Sequence, residues 1–168
     1  GGILGAFKEE IRWFDHHLKG KENGIMDEPP VQFYQMASAK KRELSKKNGW
    51  QTADNWPPES NSTHYYLHSG GELTQTATEA TDAKTTYRFD PKNPVETVGG
   101  HNLTLPIGPM DQREIGDRPD YFRFQTPALE EDVTIQGPVW VDLYASTDCP
   151  DTDFMFKLVD VYPDGYEA

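Results

Sequence analysis

Val133 and Ile135, then Val139, Val141, Leu143 and Ala145, share one parity on either side of Gly137 and Pro138. Residues two apart on a strand point to the same face, so this spacing predicts a β-strand with one covered side. Pro138 has no N–H to give to a ladder, so the strand breaks there at a bulge or faces no neighbour at that position. A chain with such a segment has to build a sheet. Phe154, Phe156 and Leu158 supply a further strand face on the same period. Four more short runs, Val31 to Ala37, Thr63 to His68, Thr85 to Phe89 and Tyr121 to Thr126, read as extended and are each bounded by Gly, Pro, Asn or Asp clusters. With 13 Pro, 14 Gly and 12% aromatic residues, the composition suits many short strands joined by turns better than a helical bundle. At 168 residues the chain holds one domain with a sizeable core and is short for two.

The N-terminal end departs from this pattern. Ile3, Leu4, Phe7, Ile11, Phe14 and Leu18 fall on a 3.6-residue period, predicting an amphipathic helix closed by Gly20. From Lys19 to Pro30 the chain is polar and carries Gly24 and the Pro29–Pro30 pair, which reads as a linker with a boundary near residue 25. The stretch from Ala39 to Asn48 reads as a polar loop or short helix. Pro163, Asp164 and Gly165 signal a tight turn with three residues after it. Ending there would leave the strand from Asp153 to Tyr162 with an unpaired edge, so the sequence reads as cut at both ends.

Sixteen basic against 28 acidic residues give a formal charge of −12, which repels phosphate backbones and anionic lipid and argues against nucleic acid or a membrane surface as partner. No apolar run approaches 18 residues and no signal-peptide pattern opens the chain, so it reads as soluble, with cytoplasmic and exported origins both open. Cys149 stands alone, which excludes an internal disulfide and a multi-cysteine zinc site and leaves the redox compartment open. Asn61 and Asn102 begin Asn-x-Ser/Thr sequons that matter only in a glycosylating secretory source.

Eight blocks, in order, resemble the end of the hydrolase domain and the C-terminal jelly roll of the cocaine esterase and X-prolyl dipeptidyl peptidase family of serine hydrolases. WFDHHLKG at 13–20 is similar to the last hydrolase-domain helix, and PPVQFYQM at 29–36 to the first jelly-roll strand. GWQTADNWPP at 49–58 and HYYLHSGGEL at 64–73 follow as a tryptophan-centred loop and a strand with a Gly-rich turn. YRFDPKNPVETVGG at 87–100 and GPMDQR at 108–113 are the most specific pieces, and QGPVWVDLYAST at 136–147 and DTDFMFKLVDVYPDG at 151–165 complete the series. The resemblance implies a mostly β fold: a jelly-roll β-sandwich over 25–168, incomplete at its C-terminus, preceded over 1–24 by a helix and linker belonging to an α/β-hydrolase domain. It implies a parent enzyme that hydrolyses a small ester, amide or peptide by acyl transfer to serine, as an acyl esterase, acylase or dipeptidyl peptidase, with no cofactor and no metal.

The chain itself holds no Gly-x-Ser-x-Gly elbow, and the family's catalytic Asp and His would both precede its opening helix. It is therefore expected to be inactive alone, with the catalytic α/β-hydrolase domain as its partner and the oligomeric state open. Within the resemblance, the segment between Gly100 and Gly108 approaches the mouth of the active site, which makes Leu103 and Leu105 candidates for the wall of the substrate pocket, although loop leucines also tuck into a domain's own core. Asp111 and Arg113, two apart in GPMDQR, read as a structural pair in which Arg113 pins the connection by a charge-assisted hydrogen bond.

Other constellations carry less. His64 and His68 share a strand face, but at ~3.3 Å rise per residue they stand about 13 Å apart, too far to share one ion. Asp148, Asp151 and Asp153 lack the glycine and distal glutamate of an EF-hand loop and read as a solvated turn region around Pro150. Trp50, Trp56 and Trp140 raise the alternative of a stand-alone carbohydrate-binding jelly roll.

Overall fold

The computed structural model describes residues 3–37, 49–79, 83–104 and 106–168. They fall into two units, one drawn from Gly1–Ala37 and Ser45–Pro58 and the other from Glu59–Ala168.

The first unit opens with α1 (Ile3–Lys19), as the 3.6-residue period requires. Gly20 stops it: at φ 64° its N–H donates to the His16 carbonyl at 3.0 Å, the left-handed closure that glycine adopts without strain. Asp15, half-buried, accepts from Lys19 Nζ at 2.6 Å and Lys21 Nζ at 2.7 Å, which fastens the chain leaving the helix. Arg12 reaches back to Glu9 and across to Glu28, and Asn23 Nδ2 donates to the Arg12 carbonyl at 2.7 Å. The expected linker is thus held to the helix surface by polar contacts around a single 3₁₀ turn at Ile25–Asp27.

β1 (Val31–Gln35) and β2 (Gly49–Ala53) pair antiparallel, with Phe33 opposite Gln51 and Tyr34 opposite Trp50. On one face Tyr34 and Trp50 meet edge-on at 5.7 Å between ring centres. On the other, Phe33 meets Trp56 at 5.4 Å. Such aromatic pairs add specific geometry to plain area burial and fix the register.

In the second unit, β3 (Tyr66–Leu67) and β4 (Leu73–Thr74) form a short antiparallel hairpin around Gly70 and Gly71. A side chain at Gly71 would stand 2.9 Å from the Arg123 carbonyl, because a third segment runs against this turn. Leu73 N–H donates to Gln125 at 3.0 Å and Gln125 N–H to Gly71 at 2.9 Å, giving a parallel bridge between Glu72 and Gln125. Tyr87 and Phe122, from two of the expected strands, pack edge-to-face at 5.5 Å.

Among the described residues the molecule is mostly non-helical, with antiparallel pairs and one α-helix, and several expectations change in detail. The run at 63–68 forms a strand only at Tyr66–Leu67, and 85–89, 121–126 and 154–158 form none among the described residues, 121–126 making one isolated bridge at Gln125. The segment from Val133 to Ala145 also forms no strand among them, and the covered face expected of it is missing: Val133, Ile135, Val139, Val141 and Leu143 are all exposed, at 44% to 58%. A ladder needs a paired neighbour on at least one side, and among the described residues no segment pairs with this one through its backbone. Finally, the turn at Pro163–Gly165 does lead to a return limb. Tyr162 N–H donates to Tyr166 at 2.8 Å, Asp160 and Ala168 exchange both backbone bonds at 2.9 Å, and Val161 bridges Glu167, so residues 160–162 do not have the bare edge expected of them. The polar stretch from Ala39 to Asn48 lies outside the described residues.

Among the described residues no hydrophobic side chain is fully buried, and the one buried polar residue is Gln112, at 5% exposure.

Candidate functional site

Gln112 sits at the start of a 3₁₀ turn, Gln112–Ile115, inside the GPMDQR motif. Its Nε2 donates to the Val98 carbonyl at 3.0 Å and the Met110 carbonyl at 2.8 Å, while Lys157 Nζ donates to its Oε1 at 2.8 Å. One side-chain amide therefore joins the two stems of the segment between Gly99 and Met110 and anchors them to a third segment. Burial pushes the Lys157 ammonium below its ordinary pKa.

Those stems are closed a second time by the backbone. Gly100 N–H donates to Gly108 at 2.8 Å and Gly108 N–H to Gly100 at 3.0 Å. Gly99 is buried at φ 67°, and a Cβ there would run into the Gly108 carbonyl and stand 2.8 Å from the Met110 side chain. Only glycine lets the stems approach this closely. Asn102 Nδ2 donates to the Gly99 carbonyl at 2.9 Å, ordering the first turn of the loop from inside.

Between the stems, Leu103 is 101% exposed, and Ile107, next to Gly108, is 68% exposed. Leu103 thus projects from a pinched loop into solvent and is not tucked into its own domain. Leu105, the other candidate for a pocket wall, lies outside the described residues.

Asp111 and Arg113 meet directly. Arg113 Nε donates to both Asp111 carboxylate oxygens, at 2.9 and 3.0 Å, and Nη2 to Oδ2 at 2.5 Å. Asp111 also accepts from the Arg113 N–H at the head of the 3₁₀ turn, and the guanidinium holds its carboxyl down to about 2. The pair supports the return limb: Gln112 N–H donates to Glu167 at 2.8 Å, Arg113 lies 5.8 Å from the Tyr166 ring centre, and Tyr166 Oη donates to the Pro109 carbonyl at 3.4 Å.

A second arginine clamp was not singled out by sequence reasoning. Arg118 takes Asp120 through Nε and Nη2, both at 2.9 Å, and reaches Asn93 through Oδ1 at 3.1 Å and the carbonyl at 2.5 Å. It locks the turn in the 87–100 block to the chain after GPMDQR, and the guanidinium lowers the Asp120 carboxyl. The only signal in the sequence was a repeat of the Asp/Arg spacing two apart, in RPD at 118–120.

The remaining candidates do not converge. His68 Nε2 lies 3.0 Å from Thr74 Oγ1 and 2.9 Å from the Thr76 carbonyl, within its own hairpin. The segment with Asp148, Asp151 and Asp153 is exposed, with Cys149 N–H donating to Thr147 Oγ1 at 3.1 Å as in a solvated turn. Among the described residues no three His, Cys, Asp or Glu gather to hold a metal ion, and no helix is long and apolar enough to cross a membrane.

The described residues thus hold short antiparallel pairs, a pinched loop and two arginine-carboxylate clamps, and the sequence holds no Gly-x-Ser-x-Gly elbow. The chain belongs to the family of X-Pro dipeptidyl-peptidase C-terminal non-catalytic domains, whose family model matches residues 23–168. It is 34% identical over 166 residues to the cocaine esterase of Rhodococcus sp. (strain MB1 Bresler), covering 91% of this chain and 27% of that protein. It is 27% identical over 169 residues to proteins named "Putative serine esterase" from Mycobacterium bovis and Mycobacterium tuberculosis, covering 95% of this chain and 24% of each. The chain thus spans about a quarter of the length of these curated relatives. No solved structure matches it.

Proposed function

We propose that this chain is the C-terminal jelly-roll portion of a serine hydrolase acting on ester or amide bonds, as an acyl esterase, acylase or X-prolyl dipeptidyl peptidase, and that it carries none of the triad itself. The observation that carries the reading is the 34% identity to the cocaine esterase over nearly the whole chain, within a family described as non-catalytic. Residues 1–24 are the closing helix and linker of the α/β-hydrolase domain in this reading, and 25–168 the jelly roll. The exposed stripe of Leu4, Phe7, Ile11, Phe14 and Leu18 on α1 supports it, since an amphipathic helix needs a surface to cover its apolar side. The catalytic domain is the partner that would cover it.

The chain's part in the chemistry is to present Leu103, and with it Leu105, to the acyl group of a small ester, amide or peptide substrate. The nucleophile, base and oxyanion hole belong to the catalytic domain. The test compares turnover of p-nitrophenyl esters and dipeptide anilides by the whole protein and by this chain. Serine-phosphonate-sensitive turnover by the whole protein, with background rates for the chain, is the expected result. Comparable phosphonate-sensitive turnover by the chain alone contradicts the reading.

A further inference from the structure

We propose that Asn23 is a self-modification site: the backbone nitrogen of Gly24 attacks its side-chain amide, ammonia leaves, and the acid that results frees the strap from Gly20 to Glu28 from α1. The inference uses no feature of the hydrolase reading and stands or falls apart from it.

The strap lies along one side of the helix. Lys21 N–H donates to the Asp15 carbonyl at 3.1 Å, Lys21 Nζ to the Asp15 carboxylate at 2.7 Å, and the Lys21 carbonyl lies 3.0 Å from His16 Nδ1. At its far end Glu28 takes the Arg12 guanidinium. Between those two anchors, among the described residues, the strap makes one hydrogen bond to the helix: Asn23 Nδ2 donates to the Arg12 carbonyl at 2.7 Å. The middle of the strap therefore depends on a single amide nitrogen, and that nitrogen is the leaving group of the reaction.

Three observations favour the attack. Asn23 precedes a glycine, so no β-carbon crowds the attacking nitrogen. A Cβ built at Gly24 would find only Asp27 Oδ2, at 4.0 Å, and the Gly24 N–H is exposed and makes no hydrogen bond among the described residues. Ile25 N–H donates to Asn23 Oδ1 at 3.2 Å, an Asx turn that folds the side chain back along its own backbone. The same donor stabilises the oxyanion that forms when the amide carbon is attacked.

In the step itself a bond forms between Gly24 N and Asn23 Cγ, and the Cγ–Nδ2 bond breaks. Ammonia departs with the proton that Gly24 N gives up, which leaves a cyclic imide. Water then opens the imide: breaking the new bond gives aspartate, and breaking the original peptide bond gives isoaspartate. No oxidant or reductant takes part. Either product sets a carboxylate oxygen against the Arg12 carbonyl where a donor stood, so two acceptors face each other and the bond is lost. Isoaspartate also adds a methylene to the main chain, which displaces Gly24 from the φ 75° turn whose carbonyl accepts the Asp27 N–H at 3.1 Å.

The test holds the whole protein at mildly alkaline pH, with and without urea, and follows Asn23 by peptide mapping and by isoaspartyl methylation. Asn23 in the folded protein is expected to convert at least about tenfold faster than Asn61 and Asn102, whose following residues carry side chains. Asn48, the other asparagine before a glycine, lies outside the described residues, and its peptide is scored separately. Release of the strap is read by limited trypsin cleavage after Lys21, in Asn23→Asp and in the aged wild type. Both are expected to be cut about fivefold faster than the fresh wild type, the factor that loss of one hydrogen bond gives. Asn23→Gln keeps an amide donor and forms its larger imide slowly, so ageing is expected to leave its cleavage rate unchanged.

Conversion of Asn23 in urea with an intact Asn23 in the folded protein overturns the inference, because the bond to Arg12 would then protect the amide. Conversion without faster cleavage overturns the release of the strap. Should Asn23→Asp fail to fold, the aged wild type decides by itself, since it was folded before the change.

Discussion

The backbone N–H of Gln112 donates to the carbonyl of Glu167 at 2.8 Å, across more than fifty residues of sequence. That single bond joins the GPMDQR turn to the return limb after Pro163–Gly165. Gly165 makes the limb possible, at φ 80° and with its N–H donating to Tyr162 at 2.8 Å. Gly165→Val forces a branched side chain into the left-handed region, a cost of about 1–2 kcal/mol. Urea unfolding is expected to show a loss of this size, with faster amide exchange at Gln112. Wild-type exchange at Gln112 would mean that the limb does not support the motif.

Gly99→Ala is expected to open the loop at its base. The added carbon meets the Gly108 carbonyl, and φ 67° is unfavourable for alanine. A loss of at least about 1 kcal/mol in urea unfolding is expected, since the backbone and steric costs add. Leu103→Ala, at an exposed side chain between the stems, is expected to change stability by no more than about 0.5 kcal/mol. The contrast between the two positions is the checkable content.

The carboxylates set a direction for pH. Asp111 is held down to about 2, and Asp15 and Asp120 are lowered by their Lys and Arg partners. A carboxyl whose pKa falls on folding stabilises the fold above its unfolded pKa, and this is lost as pH falls through the folded value. For Asp111 the window runs from about 4 to about 2. The unfolding midpoint of the wild type is expected to fall across that window, and that of Asp111→Asn to fall less. Parallel pH profiles would contradict the role of the ion pair.

Arg118→Lys tests the second clamp. A lysine ammonium cannot bond both Asp120 oxygens and also reach Asn93 as the planar guanidinium does. The variant is expected to unfold at lower urea than the wild type, and Asn93→Ala to lose less, since Asp120 keeps its partner there. Equal losses would place the weight on the Asn93 contact.

The helix, its glycine stop and the strand at Val31–Gln35 were legible because each follows from local periodicity and a local breaker. GPMDQR was legible as a structural pair, since Arg and Asp two apart can meet. Gln112 was not, because an amide that bonds two backbone carbonyls and a distant lysine has no period and no motif. Arg118 and Asn93 were missed for the same reason, being twenty-five residues apart. The segment from Val133 to Ala145 shows the converse: its alternation is plain, yet a ladder requires a partner strand, and the pattern of one segment cannot say where that partner lies.

The most direct measurement is covalent labelling by a fluorophosphonate, which marks an activated serine whatever the substrate. The whole protein is expected to take up one equivalent at a serine outside these residues, and this chain alone none. Stoichiometric, heat-sensitive labelling of a serine within this chain would contradict the account.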